Sequence, residues 1–330
     1  MGAGRIGSAN DRLGTKTPLS HIGAALAAGT IDLTAVIEPE EAARNSACKL
    51  WRAKTGARFV GSLGELADAG VEVVTLCTPT ETRARDVAAA LELAPRLLII
   101  EKPLAPNPDC AARILRAIGE AGVAVLVNYN RRFDPATARF KSLFPGQPLS
   151  VVARYGKGLV NYASHMVDLF TMWFGPVEAV QATSTERETT NKDVSLSFRL
   201  CLKSGLDIQI ISIDGVTFDQ FEIDVLFEDR VLSYLSGGAE QAVRFPRNDL
   251  HYRGYSHVPS QPDEVWRGQV GGFLELYQAV GKHFSRGVPI GGCSGTEALE
   301  VQQVLWGARE SASQEGRLVT LGSSVRIQEQ

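Results

Sequence analysis

No run of about eighteen apolar residues interrupts the 330-residue chain, so no segment reads as a membrane span, and no charged-then-apolar leader opens it. The cysteines are five, an odd number (Cys48, Cys77, Cys110, Cys201 and Cys293), scattered and never in C-x-x-C spacing. That excludes a disulfide frame and a zinc site, leaves no metal site to expect, and reads as buried thiols. Basic residues form no block, and 34 Lys and Arg against 37 Asp and Glu give a net charge near −3. Nothing calls for nucleic acid or an anionic membrane surface as a partner. Internal repeats and low-complexity tracts are absent too. The expectation is a cytoplasmic, globular chain long enough for two domains.

A phosphate loop is present, in an unusual place. Gly2-Ala3-Gly4-Arg5-Ile6-Gly7 has the G-x-G-x-x-G spacing with which a strand-to-helix turn brings backbone N–H groups and a helix N-terminus to a pyrophosphate. Its residues Gly2, Gly4, Arg5, Ile6 and Gly7 are the expected dinucleotide contacts. No strand precedes it here, and the expectation is that the natural chain begins roughly six to ten residues earlier, with an apolar strand. Without that strand a slot should open in the core and leave the flanking backbone unpaired.

Downstream the pattern is that of a parallel α/β sheet. Apolar runs at Ile31–Ile37, Val71–Cys77, Arg96–Ile100 and Ala124–Asn128 alternate with helical stretches at Glu40–Thr55, Ser62–Ala69, Glu81–Leu93 and Asp109–Gly119. Each run ends in polar residues: Glu38, Thr78-Pro79-Thr80, Glu101-Lys102-Pro103, and Asn128-Tyr129-Asn130. In an open parallel sheet these carboxyl ends line the ligand crevice. A carboxylate at Glu38 would accept the ribose hydroxyls and repel a 2′-phosphate, and Pro39-Glu40-Glu41 offers no arginine to reverse this, so NAD is expected over NADP.

After Pro145-Gly146-Gln147-Pro148 the period changes to two. Val194, Leu196, Phe198 and Leu200 face one way against Ser195, Ser197 and Arg199; Phe221, Ile223, Val225 and Phe227 repeat the pattern, with hairpin turns at Ser204-Gly205 and Asp229-Arg230. Helices near Asp263–His283 and Gly295–Ser313 close the chain. The predicted architecture is α/β: a Rossmann-type parallel-sheet domain over residues 1–130, then an α+β domain over 131–330 with a large, mostly antiparallel open sheet, its C-terminal helix packing back on the first domain.

Two places carry candidate chemistry. Lys102 sits at a strand end before Pro103, where a lysine is either a solvated charge or a crevice base. On a helix over Asn161–Phe174, buried nearly all round, Asn161, His165, Asp168 and Met172 form a narrow seam that needs polar partners. Oxidation of a carbinol needs a hydride acceptor and a side chain that takes the hydroxyl proton, and Lys102 with His165 supplies the latter. Lys157 and Arg131 could hold an anionic substrate group. His21, brought to a helix start by an insertion over Asn10–Ser20, reads as a substrate contact or a plain helix-start residue.

The glycine loop, Glu38, Cys77-Thr78-Pro79-Thr80, Glu101-Lys102-Pro103 and Asn161…His165-Met166-Val167-Asp168 together resemble the Gfo/Idh/MocA oxidoreductases, from Gly2 to roughly Val319. The resemblance implies Lys102 and His165 as the catalytic pair, with Thr78, Pro79 and Glu101 lining the dinucleotide. The substrate would be a sugar, cyclitol or nucleotide-linked sugar, met by Lys102, Asn130, Lys157, Asn161, His165 and Asp168. The family usually carries an aspartate where this chain has Asn161, and an amide cannot share a proton as a carboxylate can. The resemblance also implies pairing of copies through the antiparallel sheet, although its outward faces are polar enough to stay hydrated. A glycosidase using tightly held NAD and a non-catalytic dinucleotide-binding regulator are the alternatives.

Overall fold

In the computed structural model, residues 1–11, 17–66, 70–189, 193–213, 218–268 and 271–322 are described. They divide into two compact units, Met1–Asp134 with Gly271–Leu299, and Pro135–Val270 with Glu300–Ser323. The helices in chain order are α1 (His21–Ala28), α2 (Glu41–Trp51), α3 (Arg83–Leu91), α4 (Pro108–Glu120), α5 (Pro135–Ser142), α6 (Ser164–Phe174), α7 (Phe273–Arg286) and α8 (Gly295–Ser313).

The first unit holds five short parallel strands: β1 (Ala35–Ile37), β2 (Arg58–Val60), β3 (Val73–Leu76), β4 (Leu97–Glu101) and β5 (Ala124–Asn128). All of β4 is buried, as expected for a strand covered on both faces. The helices between them start where the side chains direct. Asn107 accepts the Cys110 N–H at 2.8 Å with Pro108 next in line, and α4 then buries Cys110, Ala111, Ile114, Leu115 and Ile118 as one stripe. α7, although distant in sequence, belongs to this unit. Its Phe273, Leu276, Tyr277 and Val280 pack with Ala24 and Ala25 of α1 and with Leu97, Ile99 and Leu126 of the sheet. A Cβ on Gly281 would fall 2.2 Å from Thr30 Oγ1, so α7 approaches this closely only with glycine there.

These strands do not form one sheet. β1 pairs with β2 alone, whereas β3, β4, β5 and Cys293–Ser294 form a second sheet. Met1 and Gly2 bridge the two at their carboxyl ends. The Met1 ammonium donates to Thr75 O at 2.6 Å, Met1 O accepts the Cys77 N–H at 2.7 Å, and the Gly2 N–H reaches Ile37 O at 2.9 Å. Burial pushes the pKa of that ammonium below its ordinary value. Behind the bridge lies a cavity of about 120 Å³, lined by Val36, Ile37, Leu66, Val73, Val74 and Thr75 among others.

In the second unit nine strands form one sheet among the described residues. From edge to edge the order is Glu264–Arg267, Glu240–Arg244, Val231–Leu235, Phe221–Leu226, Ser150–Tyr155, Asp207–Ser212, Phe198–Leu202, Val177–Ala182 and Val319–Thr320. Every pairing is antiparallel except that of Ser150–Tyr155 with Asp207–Ser212. Aromatic rings hold α6 to this unit: Trp173 lies 5.9 Å from Tyr234 and 5.9 Å from Phe144, and Phe144 stacks on Phe174 at 5.6 Å.

Some sequence expectations are corrected. The last helix pair begins later, because Glu264–Arg267 is an edge strand and helix starts only at Phe273. Ser195, placed on the outward face, is buried. The short turn of helix expected near Ser62–Ala69 is present as a 3₁₀ turn at Leu63–Leu66, and residues 67–69 lie outside the described set. Among the described residues, no helix is long and apolar enough to cross a membrane.

Candidate functional site

The glycine loop shows why each glycine is needed. Gly2 has φ +88°, and a Cβ there would meet Cys77 O at 2.8 Å; one on Gly7 would meet Gly2 O at 2.2 Å. These two permit close packing of the loop on β3 and on itself. Gly4 differs, because a Cβ built on it meets nothing within 4 Å. That open space beside a backbone turn is the cradle a pyrophosphate requires, so the residues present fit a dinucleotide. Arg5–Ala9 then forms a single π turn, buried at Gly7 and Ser8, with Arg5 exposed and Ile6 half-buried.

The insertion expected over Asn10–Ser20 leaves the helix and returns to it at one carboxylate. Asp11 accepts the N–H of Leu19 at 2.7 Å and of Ser20 at 2.9 Å, and also takes the Ser20 hydroxyl. Ser20 in turn caps α1 through the Gly23 N–H. Residues 12–16 of the insertion lie outside the described set.

At the end of β1, Glu38 is already engaged by the loop it adjoins. Its Oε2 accepts the Ala3 N–H at 2.7 Å and its Oε1 the Glu40 N–H at 3.0 Å. An arginine does reach this strand end, one turn beyond the residues considered from sequence. Arg44 donates from Nη1 to Glu38 O at 2.7 Å and to Pro39 O at 3.2 Å. It is held there by carbonyls, and its charge acts on Glu40 and Glu65, whose carboxyls lie below their ordinary pKa chiefly through backbone N–H donors. After β3, Thr78 O accepts Nη2 of Arg83 at 2.9 Å, while Nη1 of this buried arginine donates to Leu76 O at 3.2 Å. The guanidinium so fixes the turn that carries Thr78 and the exposed Pro79.

The largest surprise lies at Glu101. His21, 3% exposed, donates from Nε2 to Glu101 Oε1 at 2.8 Å, and Asn128 Nδ2 donates to the same oxygen at 2.6 Å. Nδ1 of His21 meets the Tyr277 hydroxyl at 2.9 Å, which lies 3.0 Å from Thr75 Oγ1. Desolvation, the strongest influence on both members, disfavours their charges. Even so, the Cys77 and Tyr277 side chains and the Glu101 hydrogen bond hold the imidazole well above its ordinary pKa, while the His21 hydrogen bond and charge hold Glu101 below its own. His21 and Glu101 are therefore a buried ion pair, and His21 is not a plain helix-start residue. No local pattern announced it, since the partners come from α1, β4, β5 and α7.

The pair has a pH signature. Glu101's stabilising share is present above its ordinary 4.5 and is lost as pH falls through its lowered folded value; that of His21 is complete below 6.5 and is lost as pH rises through its raised value. The urea midpoint of the protein is expected to decline as pH rises above 6.5, and His21→Gln should flatten that decline. Equal slopes in the two proteins would remove the pair from the account.

Lys102 follows directly, half-buried, and its peptide bond to Pro103 is cis. Asn130 is given to structure: Nδ2 donates to Gly271 O at 2.9 Å, tying the turn after β5 to the segment that enters α7.

In the second unit, the histidine helix starts with a π turn, Leu159–Ala163, rather than as one α-helix from Asn161. The wider turn takes Asn161 out of α-register with His165, and π turns recur at functional sites. Asp193 caps it, accepting the N–H groups of Val160 at 3.3 Å and Asn161 at 2.9 Å. His165 and Asp168 of the seam are buried, Asn161 is half-buried and Met172 is exposed; of the helix's apolar residues Met166, Leu169, Trp173, Ala163, Val167, Phe170 and Phe174 are buried, and Tyr162 is half-buried. Lys157, at φ +59°, pairs with Asp219 and lies 5.4 Å from the Tyr162 ring, so its charge already has an anion.

Residues 1–129 match the family model described as "Oxidoreductase family, NAD-binding Rossmann fold". Inositol 2-dehydrogenase of Mycolicibacterium smegmatis is 39% identical over 100 residues, which cover 28% of this chain and 29% of that protein. The alignments to the first curated relatives span from 21% to 49% of those proteins' length. Among solved structures, a super-repressor mutant of Gal80p from Saccharomyces cerevisiae superposes with a TM-score of 0.74 at 16% identity, over 95% of each chain. The WlbA dehydrogenase of Bordetella pertussis, in complex with NADH and UDP-GlcNAcA, does so at 0.70 and 21% identity, over 92% of this chain and 95% of that one. At such identities the likeness is one of fold.

Proposed function

We propose, from the match of residues 1–129 to the NAD-binding model of the Gfo/Idh/MocA oxidoreductases, that the chain is an NAD-dependent dehydrogenase or reductase of a secondary alcohol or ketone, on a sugar, cyclitol or nucleotide-linked sugar. The observation that carries this is the open cradle at Gly4, flanked by Glu38 and by strand ends bearing Thr78 and Glu101-Lys102. The substrate class is supported by the inositol and nucleotide-sugar dehydrogenases among its relatives and fold neighbours.

In this reading the dinucleotide would be held by Gly2, Gly4, Arg5, Ile6 and Gly7 at the pyrophosphate, by Glu38 at the ribose, and by Thr78, Pro79 and Glu101 along the strand ends. NAD, when bound, supplies the hydride acceptor. Lys102 takes the hydroxyl proton as the carbinol is oxidised, and His165 assists as its electrostatic partner or alternate base. Asn161, an amide, can orient the substrate hydroxyl or His165 but cannot exchange a proton with it. Asp168, Asn130 and Lys157 border the substrate.

Glu38 also sets the cofactor preference. A 2′-phosphate would meet its carboxylate and those of Glu40 and Glu65, and Arg44 is already committed to carbonyl oxygens. NADH is expected to bind about tenfold tighter than NADPH in a fluorescence titration, a modest charge effect. The protein loaded with NAD should then be mixed with a panel of free sugars, cyclitols and nucleotide-linked sugars, and a single turnover read from the absorbance of the reduced nicotinamide. Reduction by at least one member is the expected result. Tight dinucleotide binding with no reduction by any would move the protein to the regulator reading; failure to bind either dinucleotide would overturn both.

A further inference from the structure

We propose that Asn128 is a positioning residue for the dinucleotide. With His21 it holds one oxygen of Glu101, which leaves the other to accept a hydroxyl of the ribose nearer the nicotinamide. The inference rests on the dehydrogenase reading, but its test needs no turnover. Glu101 ends β4 and Asn128 ends β5, and the parallel ladder sets the two residues side by side. From there Asn128 Nδ2 donates to Glu101 Oε1 at 2.6 Å, and His21 Nε2 donates to the same atom at 2.8 Å. Two charge-assisted donors fill the lone pairs of that oxygen. Oε2 accepts no hydrogen bond among the described residues and, unlike Oδ1 of Asn128, is not sealed from solvent.

Donors from two different elements, α1 and β5, fix the plane of the carboxylate, where one alone would let it turn about its last bond. His21 is itself held from α7, by the Tyr277 hydroxyl at 2.9 Å and by the Phe273 ring, edge-on with centroids 5.0 Å apart. The Asn128 amide cannot be turned over, since that would set oxygen against oxygen. Its Oδ1 is instead buried with no donor of its own. A buried acceptor left unsatisfied is uncommon and calls for a reason, and holding the carboxylate supplies one. Glu101 also stands where a second ribose would fall. Across the carboxyl ends the order is β1, Met1–Gly2, β3 and β4, because Met1 and Gly2 bond to Ile37 on one side and to Thr75 and Cys77 on the other. Glu38 and Glu101 are therefore three strand spacings apart, about 14 Å, on either side of the glycine loop. That is comparable with the span of a pyrophosphate carrying a ribose at each end, and each end then meets one carboxylate.

Fluorescence titration with NADH, beside calorimetric titration with ADP, reads this on the whole chain without substrate. ADP carries the adenosine ribose and the pyrophosphate but lacks the second ribose, so it serves as the internal control. Asn128→Ala is expected to bind NADH about tenfold more weakly, the scale of a charge-assisted hydrogen bond partly lost, with ADP affinity within about twofold of the parent. Asn128→Leu keeps the side-chain volume without the donor and should do the same; should circular dichroism show one variant unfolded, the other decides. Unchanged NADH affinity in the folded variant overturns the proposal. Equal weakening of NADH and ADP overturns it too, because Asn128 would then support the whole unit rather than one ribose contact. A parent in which no sugar reduces NAD, while Asn128→Ala loses NADH affinity as stated, would sink the dehydrogenase reading and leave the contact standing.

Discussion

Lys102→Ala is expected to lower kcat by about 10²–10⁴-fold, the range for loss of a positioned general base, with NAD affinity within about threefold of the parent. The split follows from where the contacts lie. On the proposed reading, dinucleotide affinity would rest on the glycine loop, Glu38 and the Thr78 turn, each held by hydrogen bonds that do not involve Lys102. Lys102→Arg is the sharper control. It keeps the positive charge and most of the length, but a guanidinium stays protonated at any accessible pH and cannot accept a proton, so it should be as slow as alanine. Steady-state rates with the substrate identified by the sugar panel, beside dinucleotide binding for each variant, check this. An alanine variant with parental kcat would end the assignment of Lys102 as the base.

Five added apolar residues ahead of Met1, for example alternating valine and isoleucine, are expected to stabilise the protein by about 3 kcal/mol or more. The cavity between β1 and β3 measures about 120 Å³, and at about 24 cal/mol per Å³ of void its filling alone accounts for that figure. New ladder hydrogen bonds to the facing edges of β1 and β3 would add to it. The Met1 amine, now buried against Thr75 O, would become an ordinary peptide N–H that makes the same bond without the cost of desolvating an ammonium. Denaturant midpoints of the parent, the apolar extension and an extension of equal length made of serine and proline would separate strand insertion from mere lengthening. An apolar extension no more stable than the polar one would show that the slot does not accept a strand.

What could be read from the sequence was what repeats locally. β5 was expected at Ala124–Asn128 and lies there, and α8 runs over Gly295–Ser313 as read, because both are long or uniformly apolar segments with clear ends. β2 went unread: three residues long, with Arg58 exposed, it has no run for a pattern to show. The Glu264–Arg267 strand was absorbed into a helix because four residues, Glu-Val-Trp-Arg, do not alternate and are too few to separate the two periods. Glu38, Thr78, Glu101 and Lys102 were found because a polar residue ending an apolar run is visible in one dimension. The partners of His21 were not, since they stand 80 and 256 positions away and depend wholly on how the sheet and α7 come together. Arg44 was missed for a milder reason: its reach back to Glu38 O needs the first turn of α2 to be in place.

α7 has a consequence for how the molecule is made. The unit that carries the glycine loop takes Phe273, Leu276, Tyr277 and Val280 into its core, yet these follow the whole strand-rich segment in the order of synthesis. On a ribosome adding about 5–20 residues each second, the loop and its strands would wait many seconds, apolar surface uncovered, before the helix that seals them emerges. During that interval His21 and Glu101 have each other but not Tyr277. The unit of the glycine loop thus stays open until most of the other unit has been made, and a nascent chain halted before Phe273 should be recognised by chaperones and cut readily by protease.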